Sequence, residues 1–517
     1  MRVAFSSILL VFLLFESFQL NSYCEERMKF IDTDIDWLDS IFTRLKTVYI
    51  DKLVYKGCFV ELHKSVWGDP YPAGIWGFNT WAGIHDLIPI VDDKFCSILR
   101  NTFDKGLENT DPSTGLLPHA ILTSRNEEIG YVYNVKRVEY KCYGGIHGED
   151  YNLDNMNYWA HMILLYYLYT LDDTWFTDEK LLKVEKSVDY IISHFMAMYN
   201  PDLVEVGIEG DWTENTNWHA DNANVNVNMY YVLRLLAQVE RLKGKSESAR
   251  YHDLIAERIK NAFNKEVSEG GFWDSKRGVY VHGNDGRGGR VYGDKYFETT
   301  ANIFAILYGI AESDKVQSIL RYMDMFPDIE SPWPVKTNYP GRTDARRTRY
   351  LYDVTNGDVW FFLGAHTAVI RLKNGYREKG TKMYKVIRDY EEKEGTIHNN
   401  IYGDGSVNAD WSPELGNYGG LFTPYVEGAL GLRPTEFGLI ISPTPLEGMT
   451  YLKTLNPLFY AGKNFYLSVE WKGENLSEVY IDEELANNII RDKDSILLRP
   501  SSFRNGSEIK MVFKGGG

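Results

Sequence analysis

Residues 225–263 read VNVNMYYVLRLLAQVERLKGKSESARYHDLIAERIKNAF, and the spacing of their apolar side chains decides the fold. In the first half, apolar residues recur at steps of four and three, as on one face of a helix: Val225, Met229, Val232, Leu236 and Val239. The second half keeps this period at Ile255, Ile259, Ala262 and Phe263. Gly244, between two lysines, predicts a helix stop and a tight turn. The stretch therefore predicts two antiparallel helices, an αα-hairpin.

Similar helical periods recur from about residue 33 to residue 431. They fall near 34–56, 92–107, 154–172, 179–198, 297–311, 313–326, 357–373, 376–393 and 416–430. With the hairpin they make roughly eleven helices, close to the twelve of six helical hairpins. We therefore predict a mainly α fold, an (α/α)6 toroid. A helical solenoid is the alternative, but the sequence shows no fixed repeat.

Long segments rich in Gly, Asn, Asp and Trp separate the predicted helix pairs: 108–153, 199–222, 264–296 and 327–356. Loops of this length inside a compact domain are usually functional. Because short turns alternate with these long segments, we expect the long loops to emerge together at one end of the toroid.

The pattern changes after Arg433, where short β-type runs with turns between them begin. We predict a small all-β domain at 434–517 and a barrel at 25–433. Residues 1–24 combine an early arginine with a short apolar run, which is typical of a signal peptide. We therefore expect a secreted or cell-surface protein, with an uncleaved N-terminal anchor as the alternative. No other stretch is long and apolar enough to cross a bilayer.

Composition narrows the class of partner. The 517-residue chain has a formal net charge of −16, which repels polyanions, so a nucleic-acid partner is not expected. Aromatic residues make up 14% of the chain, and several tryptophans lie in polar, Gly-rich stretches. Rings in a half-wet cleft suit sugars, which present flat C–H faces. An oligosaccharide or polysaccharide is therefore the predicted partner, and the oligomeric state stays open.

No cofactor or metal is predicted. The four cysteines form no CxxC pair, the histidines form no HExxH motif, and a Gly-x-Ser-x-Gly elbow is absent. A calcium ion near Asp150 and Asp154 is an open alternative. Four histidines have two possible roles, binding sugar hydroxyls or holding structure: His85, His119, His147 and His219.

Candidate catalytic carboxylates lie beside tryptophans in two loops. Glycoside hydrolysis needs one carboxyl group that protonates the leaving oxygen and a second that activates water or attacks. Asp211 and Glu214 bracket Trp212, and a carboxyl group beside a ring has the raised pKa that suits an acid. Glu414 near Trp411 is the candidate for the second group. Further residues predicted to contact the sugar are Trp76, Trp81, Asp86, His147, Asp150, Asp154, Trp212, Trp218, Trp360 and Trp411.

The segment 210–214, Gly-Asp-Trp-Thr-Glu, resembles the Gly-Asp-Trp-Asn-Asp loop of cellobiose-phosphorylase-like enzymes and related six-hairpin glycosidases, which include glucoamylase-like and rhamnosidase-like hydrolases. Segments 356–360, 411–431 and 438–445 are similar to the late helix and the closing segment of that superfamily. The resemblance implies that Glu214 is the general acid, with Asp211 as second choice, because this sequence departs from the family loop at residues 213 and 214.

In hydrolytic relatives the base comes from a late loop, which favours Glu414. Glu427 is less favoured because it lies inside a predicted helix. The resemblance thus implies an inverting, exo-acting glycoside hydrolase. A phosphorylase, epimerase or lyase on the same barrel is one alternative, and the arginines of 342–349 are either a phosphate site or a solvated loop. A glycan-binding protein without catalysis is another.

Overall fold

The structure is a computed structural model, and it describes residues 30–39, 54–55, 58–59, 74–90, 93–123, 129–133, 153–196, 200–206, 220–285, 291–341, 357–395, 397–398, 401–406, 415–486 and 489–515. The predicted signal peptide lies outside these residues. None of the helices in the described part combines the length and the apolar character that a membrane crossing requires.

Six inner helices form a closed ring within the described residues. They are Gly77–Ile84, Leu153–Thr170, Ala223–Leu242, Thr299–Leu307, Phe361–Lys373 and, as the sixth, Leu415–Gly419 continued by the π-helix Pro424–Ala429. Each inner helix packs against the next, and the sixth packs against the first. Every residue of Leu153–Thr170 is buried, as expected for a helix that is surrounded on all sides.

Five outer helices cover the ring: Asp93–Glu108, Asp178–Phe195, Ser246–Phe263, Ser313–Met325 and Arg377–Glu394. They bury only one stripe of side chains, as in Ser246–Phe263, where Ile255, Ile259 and Phe263 face the ring. A short segment leads from each of the first five inner helices to its outer partner, and after the first helix this segment includes the 3-10 helix His85–Ile90. The predicted toroid of helical hairpins is confirmed.

Two helix predictions needed correction. Residues 77–84, for which no helix was predicted, form the first inner helix, with seven of its eight residues buried. The stretch 416–430 was expected to be one helix, but it breaks after Gly419 and resumes as a π-helix at Pro424. A proline supplies no backbone N–H to the preceding turn, so a regular helix cannot run through this point.

Short strands occupy the segments that lead into the inner helices. Gly74–Trp76 pairs with Ala120–Thr123 and precedes the first inner helix. Ala220–Asn222 lies between Glu205–Val206 and Gly283–Asn284 and precedes the third. The remaining pairs in the described part of the barrel are Val54–Tyr55 with Cys58–Phe59, Ala120–Thr123 with Ile129–Tyr133, Trp273–Asp274 with Val279–Tyr280, Gly283–Asn284 with Val291–Tyr292, and Phe297–Glu298 with Asn338–Tyr339.

The C-terminal region is all-β, as predicted, and forms two sheets. The larger runs in the order Ile31–Thr33, Tyr451–Thr454, Lys463–Lys472, Ser507–Lys514, Asn475–Ile481 and Glu484–Leu485, with Leu458–Tyr460 also paired to Lys463–Lys472. The smaller runs Leu432–Thr435, Gly438–Ile441, Ser495–Leu498 and Ile490–Asp492. Ile31 pairs with Thr454, so a strand from before the barrel belongs to the C-terminal sheet. The domain boundaries at 24 and 433 stay a prediction.

Candidate functional site

The long segments of the chain lead into the inner helices at one end of the ring. A long segment precedes each of the inner helices two to six, and a short segment follows each of the first five. The N-terminal ends of the inner helices therefore lie together, and we call this the loop-bearing end. Helix N-termini carry a partial positive charge from the aligned peptide dipoles, so this end favours anionic groups.

Four buried carboxyl groups lie within three residues of the start of an inner helix: Asp154, Asp221, Glu298 and Asp358. Their exposed fractions are only 1% to 5%. Glu298 caps the fourth inner helix, where its carboxylate accepts from the N–H groups of Thr300 and Ala301, the latter at 2.6 Å. Such capping uses the N–H groups that a helix leaves unsatisfied at its start.

Buried asparagines fix the segments that cross this end. Near the start of four inner helices, an asparagine amide accepts a hydrogen bond from the main chain of another segment: Asn155 from Phe78, Asn226 from Val204, Asn302 from Tyr280 and Asn417 from Phe362. The bonds are 2.7 to 3.1 Å long. Asn226 and Asn302 thus hold a strand or bridge segment against the ring, whereas Asn155 and Asn417 bind the start of the preceding inner helix.

Asp221 is a buried carboxyl group at this end with a raised pKa. It lies on the strand that leads into the third inner helix, in register with Glu205 and Asn284. Its Oδ2 atom has no hydrogen-bond partner in the described structure. Burial, reinforced by the negative charges of Glu205 and Asp285, raises the pKa of Asp221 to about 8. Asp221 is therefore largely protonated at neutral pH, as a general acid must be.

The predicted catalytic residues Asp211, Glu214 and Glu414 lie outside the described residues. So do five of the predicted sugar contacts: His147, Asp150, Trp212, Trp218 and Trp411. Along the chain, Glu414 immediately precedes the sixth inner helix, which starts at Leu415. Their catalytic roles stay predictions.

The described sugar-contact candidates fall at different places. Trp76 lies on the strand before the first inner helix, and Trp360 directly precedes the fifth, where it is 6% exposed. Asp154 starts the second. Trp81 lies inside the first inner helix and is fully buried. Asp86 follows that helix and so lies at the opposite end of the ring.

A cavity of about 530 Å³ opens at that opposite end, between the barrel and the C-terminal sheets. His85, Asp86 and Glu427 meet in it, with His85 Nε2 3.0 Å from an Asp86 oxygen and 3.7 Å from a Glu427 oxygen. Burial opposes the charge on His85, but Asp86 and Glu427 more than offset it and raise its pKa. The sequence left the role of His85 open and disfavoured Glu427 as a catalytic base. No local pattern shows that these residues meet, because they come together only where the sixth inner helix packs against the first.

Comparison with solved structures identifies similar barrels. The α-L-rhamnosidase from Dictyoglumus thermophilum aligns over 90% of this chain and 48% of its own, with a TM-score of 0.55 and 15% identity. A GH78 family rhamnosidase of a Bacillus species aligns over 94% of this chain and 44% of its own, with a TM-score of 0.56 and 12% identity. The chain thus spans about half the length of these two rhamnosidases.

A GH63 mannosylglycerate hydrolase from Thermus thermophilus aligns over 74% of this chain and 98% of its own, with a TM-score of 0.52 and 12% identity. No protein-family model matches the chain, and no curated protein is significantly similar in sequence. At these identities the likeness is one of fold. The chain therefore has an (α/α)6 barrel fold similar to that of these rhamnosidases and this hydrolase.

Proposed function

We propose that the chain is a glycoside hydrolase that cleaves terminal sugars from oligo- or polysaccharides at the loop-bearing end of the barrel. Of the three solved structures compared above, two are named as rhamnosidases and one as a mannosylglycerate hydrolase, which supports this class of reaction. The chain is also proposed to be secreted, as the signal-peptide pattern of residues 1–24 indicates.

One observation carries the proposal: buried carboxyl groups cluster at the N-terminal ends of the inner helices. Asp154, Asp221, Glu298 and Asp358 are all there. The helix N-termini favour the ionised form that a base needs, while Asp221 with its pKa of about 8 keeps the protonated form that an acid needs. Two carboxyl groups in opposite protonation states are what glycosidic cleavage requires.

The residues we assign to the reaction are those that the sequence indicates. Glu414 is the proposed base, since the resemblance favours a late loop and Glu414 directly precedes the sixth inner helix along the chain. Glu214, or alternatively Asp211, is the proposed acid. Asp221 lies on the strand that the same segment enters, so it is a third candidate for the acid. For inversion the two carboxyl groups should be about 6.5–9.5 Å apart.

A substrate screen tests the proposal. Aryl-glycosides and small oligosaccharides would be incubated with the full chain, starting with α-L-rhamnosides and mannosylglycerate because the similar structures carry those names. Release of free sugar without phosphate is the expected result, and NMR of the first product gives the stereochemistry. Turnover only with phosphate would indicate a phosphorylase. Tight sugar binding without turnover would indicate a glycan-binding protein.

A further inference from the structure

The cavity at the end opposite the loops contains a second cluster of functional side chains. His85 and Asp86 follow the first inner helix, and Glu427 lies in the π-helix that ends the sixth. The C-terminal sheets close the cavity from outside, where Trp471 and Phe513 contribute to its lining. The cluster therefore lies at the seam where the ring closes.

The three side chains have the spacing of metal ligands. One donor atom from each of His85, Asp86 and Glu427 lies within 4.8 Å of the others. Two ligands that are each about 2.1 Å from an ion at a tetrahedral angle are about 3.4 Å apart. The distances from His85 Nε2, 3.0 Å to Asp86 and 3.7 Å to Glu427, lie on either side of that value.

Neighbouring groups orient two of these ligands. The Nδ1 atom of His85 is 2.7 Å from the carbonyl oxygen of Trp81. Because a carbonyl can only accept, Nδ1 donates in this contact, and Nε2 faces the carboxylates as the atom that a metal ion would bind in place of a proton. The hydroxyl of Thr423 donates to Asp86. Metal-binding histidines and carboxylates are typically held by such outer hydrogen bonds.

Unpartnered polar atoms in the same cavity point independently to a ligand. His161 Nδ1 and the Tyr308 hydroxyl are buried and have no hydrogen-bond partner in the described structure, and both residues line the cavity. His85 and His161 are only 3% and 2% exposed. Buried polar groups without partners are rare in native proteins, and a bound ion or water is a common reason for them. The π-helix that carries Glu427 is a form often found at functional sites.

We propose that His85, Asp86 and Glu427 bind one divalent transition-metal ion, with Zn²⁺ the first expectation, and that the cavity holds its remaining ligand. A set of one imidazole and two carboxylates suits Zn²⁺ better than Ca²⁺ or Mg²⁺, which prefer oxygen ligands alone. Lys373 also lines the cavity and is the cation that the metal must compete with near Glu427. The ion would join the first and sixth inner helices and so stabilise the closed ring.

The test uses the full chain without an affinity tag, stripped with a chelator and then dialysed against Zn²⁺, Mn²⁺ or Ca²⁺ alone. The expected result is about one Zn²⁺ per chain, a higher Tm with Zn²⁺, and weaker binding of Ca²⁺. Glu427→Gln should weaken Zn²⁺ binding by at least about 10-fold, because it removes a charged ligand of similar shape. Glu474→Gln is the matched control, since Glu474 lines the same cavity but is 82% exposed. It should bind Zn²⁺ like the parent.

Two results would overturn the proposal. The first is a parent chain that binds no Zn²⁺ and shows no Zn²⁺-dependent Tm, which would leave a protonated His85 bridging the two carboxylates. The second is unchanged Zn²⁺ affinity in both Glu427→Gln and His85→Gln, with folding of each variant checked by circular dichroism. Neither result depends on glycosidase activity, so the failure of this proposal and that of the proposed function can be told apart.

Discussion

Asn302 and Tyr280 are joined by a two-way hydrogen bond. The amide oxygen of Asn302 accepts from the Tyr280 N–H at 2.9 Å, and its Nδ2 donates to the Tyr280 carbonyl at 2.9 Å. Asn226 binds Val204 in the same way, at 2.8 and 2.9 Å. The same pair of asparagine hydrogen bonds thus occurs on two inner helices. In each case it attaches a strand or bridge segment to the loop-bearing end of the ring.

Replacing Asn302 by alanine should destabilise the chain. The N–H and C=O of Tyr280 would lose their partner in a buried position, and each unsatisfied group costs roughly 1–3 kcal/mol. We expect the free energy of unfolding to fall by about 2–4 kcal/mol in urea titrations. Asn464→Ala, at an exposed strand position, is the control and should change it little. Equal effects of the two substitutions would show that the hydrogen bonds between Asn302 and Tyr280 do not contribute to the free energy of unfolding.

Gly419→Ala should also destabilise the folded chain, although replacing glycine by alanine usually stabilises a helix. Alanine in a helix is normally favoured over glycine by up to about 1 kcal/mol. Here a Cβ atom would lie 2.1 Å from the Ala82 carbonyl oxygen, at the contact between the sixth and first inner helices. The backbones must therefore separate at the seam of the ring, and we expect a lower Tm. Gly515→Ala, which meets no atom within 4 Å, is the control. A Tm at or above the parent value for Gly419→Ala would contradict this packing.

Asp221 predicts a specific pH dependence of stability. Its pKa is about 8 in the folded chain and 3.8 in a model peptide, so between these values the folded state holds a proton that the unfolded state has lost. Its contribution to stability is therefore fully present below pH 3.8, falls as the pH rises to about 8, and is constant above that. Because asparagine cannot ionise, the stability of Asp221→Asn relative to the parent should increase across this window.

The measurement is urea unfolding of the parent and Asp221→Asn at pH 5, 7 and 9. The difference in unfolding free energy should grow toward high pH, by at most about 1.4 kcal/mol per pH unit. Asp494→Asn, at an exposed position, should show no such growth. A difference for Asp221→Asn that is the same at all three pH values would mean that Asp221 is ionised throughout.

Much of the barrel could be predicted from sequence because the outer helices are amphipathic. In Ser246–Phe263, Ile255, Ile259 and Phe263 repeat on one buried face, and the period is visible. The first inner helix gives no such signal. Gly77–Ile84 is buried nearly all round and carries two glycines, so it has neither a polar face nor a strong helix propensity.

The candidate sites were harder to predict for a different reason. Asp221 has no motif around it, and its raised pKa comes from burial and from Glu205 and Asp285 on other segments. Asp86 and Glu427 are brought together only because the sixth inner helix packs against the first. Long-range closure of this kind leaves no local pattern. The aromatic-flanked carboxylates Asp211, Glu214 and Glu414 do have a local pattern, which is why the sequence alone suggests them as candidates.

The central claim is that carboxyl groups at the loop-bearing end catalyse glycoside hydrolysis. The most direct measurement is the phosphate-free turnover of a panel of aryl-glycosides by the parent, Glu414→Gln and the exposed-position control Glu447→Gln. We predict turnover by the parent and by Glu447→Gln, and a rate about 10²–10⁴-fold lower for Glu414→Gln with an unchanged circular dichroism spectrum. Near-parental turnover by Glu414→Gln, or no turnover of any glycoside by the parent, would contradict the account.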